Sequence, residues 1–175
     1  MAESALAVNV PEAEQYVGAL RQRFDPAAKL GVPAHITVLY PFVPPERIIG
    51  SVVRKVRDIL SSFEAFEFSL TRIVRFPTAL YLAPEPAQPF IGLTEALVRA
   101  FPEYPPYGGQ YDSIVPHLTV AQGSDAEHHM AEAELVAALP RVGIEASCRE
   151  VVLIENSSGR WEHMHSFPVG RSLKI

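Results

Sequence analysis

Two short stretches of the chain carry the same chemistry-bearing pattern. His35-Ile36-Thr37-Val38 and His117-Leu118-Thr119-Val120 each read histidine, aliphatic, threonine, aliphatic. In an extended strand, side chains alternate between faces. His35 and Thr37 then share one face, as do His117 and Thr119, and the aliphatic residues anchor the other. With six histidines and five threonines in 175 residues, two such pairs arise by chance in roughly one chain in a hundred of this composition. Two imidazoles without a carboxylate-rich setting suit acid–base catalysis, one giving a proton and one taking it near neutral pH. Two neighbouring hydroxyls suit the non-bridging oxygens of a phosphate. Opening a cyclic phosphate needs these parts: a base, an acid and donors to the equatorial oxygens. None of these roles requires a metal, and no cofactor is expected.

The surrounding sequence supplies elements to hold the two stretches. Residues 6–10 read as a short apolar strand and residues 12–24 as an amphipathic helix, with Tyr16, Leu20 and Phe24 at four-residue spacing. Asp25-Pro26 ends that helix, and residues 27–34 read as a loop into the first histidine strand. A second helix is expected from Pro45 to about Phe63, then strands over 66–76 and 79–82 around a Pro77-Thr78 turn. A third helix is expected over 90–101. Residues 102–115 form a long loop ahead of the second histidine strand, placed to wall or cover a site. Ser124 and Glu127 have capping-box spacing for a helix ending near Pro140. Residues 144–148, 151–154 and 161–169 read as strands. Strand, helix, strand, turn, strand thus occurs twice, which predicts an internal duplication spanning a single two-lobed domain of residues 1–175. Its pseudo-two-fold axis would set the imidazoles face to face across a groove.

Composition narrows the class. Hydrophobic residues make up 48% and charged residues 20%, as in a globular protein rather than a disordered one. No apolar run approaches the ~20 residues of a membrane helix, and the N-terminus lacks the basic start of a signal peptide. The single cysteine, Cys148, excludes an internal disulfide and reads as a small core residue. A cytoplasmic location and a monomer are expected. The net charge of −5 argues against long nucleic acid as a tight partner and leaves room for a small anionic ligand.

Other side chains invite a role beside a more ordinary reading. Tyr40 and Phe42 continue the first motif strand and are candidate groove walls or core residues. Tyr111 is a candidate for stacking on a base or for the loop surface. Arg75, Arg160 and Lys29 are candidate phosphate partners or solvated charges. His128-His129 sit in a glutamate-rich helical segment that reads as an exposed polar face. His163 and His165 share a strand face, and no third metal ligand is indicated beside them.

The paired motifs resemble those of the two-histidine phosphoesterases, a superfamily that includes 2'-5' RNA ligase-like proteins and cyclic phosphodiesterases. The stretch from Gly31 to Phe42 is similar to the first motif of bacterial members, and Trp161 with Phe167-Pro168-Val169-Gly170 resembles their C-terminal region. The resemblance covers nearly the whole chain. It implies an α+β fold of two lobes, each with an antiparallel sheet and outer helices, and a catalytic groove between them. It implies His35 and His117 as catalytic residues, with Thr37 and Thr119 on the phosphate, and inclines toward His117 as base and His35 as acid. The implied substrate is a small nucleotide or RNA end carrying a cyclic phosphate or 2',5' linkage. Ligation of RNA by the same site in reverse, and a nucleotide-binding module without turnover, are the alternatives.

Overall fold

The computed structural model describes residues 1–170; residues 171–175 of the expected domain lie outside the described residues. The chain runs β1 (Ser4–Asn9), α1 (Glu14–Phe24), α2 (Pro26–Lys29), β2 (His35–Leu39), α3 (Gly50–Ser61), β3 (Phe66–Phe76) and β4 (Ala79–Glu85). It continues with α4 (Gln88–Ala100), β5 (Leu118–Gln122), α5 (Asp125–Ala138), β6 (Ile144–Cys148), β7 (Glu150–Glu155) and β8 (Glu162–Pro168). Two four-stranded sheets result, in the orders β2-β1-β7-β8 and β5-β4-β3-β6. Every pairing is antiparallel.

Each sheet ends on a histidine strand, and these two edges meet. β2 is the outer strand of the first sheet, β5 the outer strand of the second, and β2 contacts β5 directly. Alternation holds in both: Ile36, Val38, Leu118 and Val120 are buried, while His35, Thr37, His117 and Thr119 keep partial exposure. The helices lock the junction reciprocally. α1, which leads from β1 to β2, packs on β5; α4, which leads from β4 to β5, packs on β2. Thr94 of α4 donates its hydroxyl to the Val38 carbonyl of β2 at 2.6 Å. An edge strand leaves backbone groups unpaired on its outer side, and this bond satisfies one of them.

Several elements depart from the sequence reading. The loop expected after Asp25 begins as the one-turn helix α2, whose first free amide, that of Ala27, donates to the Asp25 carboxylate at 3.0 Å. The helix expected from Pro45 breaks after a 3-10 turn over Pro45–Arg47 and restarts at Gly50. The strands around Arg149 part company: β6 joins β3 in one sheet and β7 joins β1 in the other. His128 is 2% exposed, not on the polar surface, because it shares the inward face of α5 with Ala131 and Leu135. Its neighbour His129 is exposed. Cys148 is buried in the core, and burial pushes its thiol up to about 12. No helix among the described residues is long and apolar enough to cross a membrane.

Candidate active site

Both histidines are held in one manner. His35 Nδ1 lies 2.8 Å from the Pro33 carbonyl, and His117 Nδ1 lies 2.8 Å from the Val115 carbonyl. A carbonyl only accepts, so each Nδ1 carries the proton and each Nε2 is left free for chemistry. In both copies the acceptor lies two residues before the histidine, where a proline-containing entry (Pro33-Ala34 or Val115-Pro116) leads into the strand.

The supports beneath them differ. Under His35, helix α1 grips the approach loop at two points. Arg21 donates to the Val32 carbonyl at 3.0 Å and, from Nε and Nη2, to Asp25 at 3.1 and 3.0 Å. Glu14 accepts the Ala34 amide at 2.5 Å. Arg21 and Asp25 form an ion pair with 2% and 1% of their side chains exposed; the buried carboxylate is satisfied by the guanidinium and the Ala27 amide together. His117 instead stands edge-on to Tyr81, ring centres 5.4 Å apart.

Electrostatics act strongly on His35. His35 keeps some surface, but its ring is closely surrounded by protein. Burial pushes the imidazole down to about 4, because desolvation disfavours the charged form. The Arg21 guanidinium and His117 act in the same direction, while the Pro33 carbonyl and Asp25 oppose it. That His117 registers at His35 places the two rings within electrostatic reach.

A cleft of about 1200 Å³ opens beside the histidine strands, and Thr37, Tyr40, His117 and Thr119 line it. His35 is not part of the lining. Among the candidate walls, Tyr40 and Tyr111 line the cleft. Phe42 does not. It is 2% exposed and packs edge-on against Phe101 and Tyr104, because its side chain turns into the core. Tyr40 donates its hydroxyl to Glu3 at 2.8 Å, and burial together with Glu3 holds this phenol at about 12. Tyr40 is therefore a neutral wall with its donor already used.

None of the three cations singled out from sequence reaches the cleft lining. Arg75 pairs with Glu132, and Arg160 donates to the Lys29 carbonyl at 3.2 Å. Arg99 of α4 lines it instead, with Glu95 and Asp112. The sequence reading missed Tyr107 as well. Its phenol lies against the Thr37 hydroxyl, and its amide donates to the Tyr40 carbonyl at 2.6 Å. Tyr107 takes φ +50°, ahead of Gly108 and Gly109, which also have positive φ. A left-handed aromatic residue is uncommon and marks a locally strained turn. The Gly-Gly pair after Tyr107 was the available signal. His163 bonds Ser166 at 2.8 Å, and no cluster of three metal-ligating side chains occurs among the described residues.

Two antiparallel sheets meeting at paired histidine edges, with helices outside, define a two-lobed α+β protein with a histidine–threonine cleft. The family model of the 2'-5' RNA ligase superfamily matches residues 10–160, and the chain belongs to that superfamily. A relative from Bacillus cytotoxicus named "putative phosphoesterase" is 33% identical over 117 residues, covering 62% of this chain and 63% of its own. A similarly named Bacillus licheniformis protein is 33% identical over 112 residues, with the same coverage. The chain thus spans about 63% of the length of the curated relatives it matches. The fold is similar to that of Escherichia coli LigT complexed with 3'-AMP, with TM-score 0.65, 14% identity, and 97% and 98% of the two chains covered. It is also similar to the TT0787 protein of Thermus thermophilus, with TM-score 0.62, 20% identity and 97% and 99% covered.

Proposed function

We propose that the chain is a metal-independent phosphoesterase that opens a cyclic phosphate or 2',5'-phosphodiester of a nucleotide or RNA end with two histidines. One observation carries this reading: two imidazoles on abutting sheet edges, each pinned through Nδ1 to the carbonyl two residues back, each with Nε2 free. Superfamily membership and the names of the Bacillus relatives support it. So does the 3'-AMP bound by LigT, which is a small nucleotide.

The neutral state of His35 assigns the roles. His35 is neutral at neutral pH, so its Nε2 accepts the proton of water as the water oxygen attacks phosphorus. The acid role then falls to His117, which gives a proton to the departing ribose oxygen. This reverses the division to which the family resemblance inclines. The Thr37 and Thr119 hydroxyls donate to the non-bridging oxygens, where charge builds up. Water adds across the P–O bond, leaving a phosphomonoester and a free hydroxyl. His35 then holds the proton that His117 lost, and exchange with solvent resets the pair. Run backwards, the same steps form the bond, which is the ligation alternative.

Turnover of a nucleoside 2',3'-cyclic phosphate tests the reading. His35→Ala and His117→Ala should each lower kcat by roughly 10²–10⁴, the usual contribution of a positioned acid or base. Thr37→Ala and Thr119→Ala should cost less and also raise KM. Wild-type rates in either histidine variant would rule out the paired mechanism. Binding of the same compound with no product would leave a nucleotide-binding module.

A further inference from the structure

The cleft extends well past the histidines and threonines, and its remaining walls say what it is built to hold. Two aromatic ladders rise from the motif strands. On the β2 side, Tyr40 meets Tyr107 edge-on at 6.2 Å, and Tyr107 meets Tyr111 at 5.7 Å. On the β5 side, His117 meets Tyr81 at 5.4 Å, and Tyr81 meets Phe76 at 4.9 Å with ring planes tilted by 30°. Each ladder ends on an exposed aromatic ring: Tyr111 is 69% exposed and Phe76 is 42% exposed. Both line the same cleft. Large exposed apolar side chains around one concavity mark a ligand surface.

Charge in the cleft limits the ligand further. Among the described residues, Arg99 is the one arginine or lysine in the lining, and it stands with two carboxylates, Glu95 and Asp112. A polyphosphate or a run of backbone phosphates needs several cations along its path. A single phosphodiester carries one charge and can be met at the His–Thr centre by the two threonine hydroxyls and the histidine pair. The volume of about 1200 Å³ far exceeds that of a phosphate alone.

Resting on the phosphoesterase reading of the His–Thr pairs, we propose that this cleft is a single-nucleotide pocket, seating one base against Tyr111 and Phe76 and rejecting polyphosphates and oligonucleotide ends. Stacking is tolerant of base identity, since every base offers a π face. The pocket should therefore require a base while showing only modest preference among bases.

Calorimetric binding tests this without turnover. The probes are adenosine 2'-phosphate, ribose 5-phosphate, inorganic phosphate and an adenylate trinucleotide ending in a 2'-phosphate. The wild-type chain should bind the mononucleotide at least ten-fold more tightly than either base-free probe, and more tightly than the trinucleotide. Tyr111→Ala and Phe76→Ala should each weaken the mononucleotide by about ten-fold, the scale of one lost stacking contact, and leave ribose 5-phosphate unchanged. Tyr111→Phe should retain wild-type binding, since the ring acts and not the hydroxyl. Equal affinity with and without a base, equal losses for both probe types, or tighter binding of the trinucleotide would each overturn the proposal. Failure of the phosphoesterase reading appears elsewhere, as wild-type turnover in the histidine variants.

Discussion

His35 and His117 begin from the same local geometry and end in different surroundings. The difference is made by what lies behind each ring: a buried Arg21–Asp25 pair and the packed approach loop for His35, the face of Tyr81 for His117. The base proposed at His35, its imidazole held down to about 4 by burial, stays competent through mildly acidic solution. The acidic limb of kcat/KM reports that group, so activity on a cyclic nucleotide should persist to about pH 5 before falling. Histidine NMR should show one imidazole titrating near 4, and that resonance should vanish in His35→Ala. A limb near the ordinary histidine value of about 6.5, with no such resonance, would remove His35 as the neutral partner. Stability should follow the same group. The folded pKa of His35 is lowered, so between about 6.5 and 4 the unfolded chain binds the extra proton. Folding stability therefore rises with pH across that window and is lost as pH falls through it. His35→Asn should flatten this part of the Tm-against-pH curve relative to wild type. An unchanged slope would show that His35 is not a source of the acid sensitivity.

The element that presents His35 is the stretch between α1 and β2, and it is held by charge buried in the protein. Asp25 ends α1, caps α2 and neutralises Arg21, which in turn holds the Val32 carbonyl. Removing one member of such a pair leaves the other charged and uncompensated, at a cost of about 3–5 kcal/mol. Asp25→Ala should shift the urea midpoint downward by a corresponding amount and lower turnover, because the loop carrying Pro33 loses its anchor. Stability within about 0.5 kcal/mol of wild type, the range of ordinary surface substitutions, would refute this. The sequence made the histidine strands legible, since their two-residue alternation is a local property and the structure keeps it. It also located α4, the β3–β4 hairpin and the capping box of Ser124 and Glu127, all written in short-range patterns. It did not reveal that β6 and β7, separated only by Arg149, enter different sheets, because alternation specifies faces and not partners. Nor did it single out Arg99, Tyr107 or Phe76, whose relevance comes from being brought to one cleft by distant segments. The i, i+4 spacing of Arg21 and Asp25 was visible, but its burial was not.

At the scale of the whole molecule, the cleft exists only because the two sheets are interlocked. β1 is central in its sheet, between β2 from the same end of the chain and β7 from the other. The helices exchange partners across the junction, α1 on β5 and α4 on β2. This reciprocity sets β1-α1-β2 against β4-α4-β5. A lobe that unfolded alone would strip a packed helix from the other lobe's histidine strand, so the two should melt as one cooperative unit. Trp161, the one tryptophan, lies beside β8 of the first sheet, and its fluorescence reports that lobe. Far-ultraviolet circular dichroism reports both. Their urea transitions should coincide, and Thr94→Val should move them together. That variant deletes the 2.6 Å bond from Thr94 to the Val38 carbonyl and leaves a buried acceptor without its donor, a loss of about 1–3 kcal/mol. Separate transitions for the two probes, or a shift in only one, would show lobes that fold independently. The cleft would then be a contact between two stable halves rather than a product of their common core.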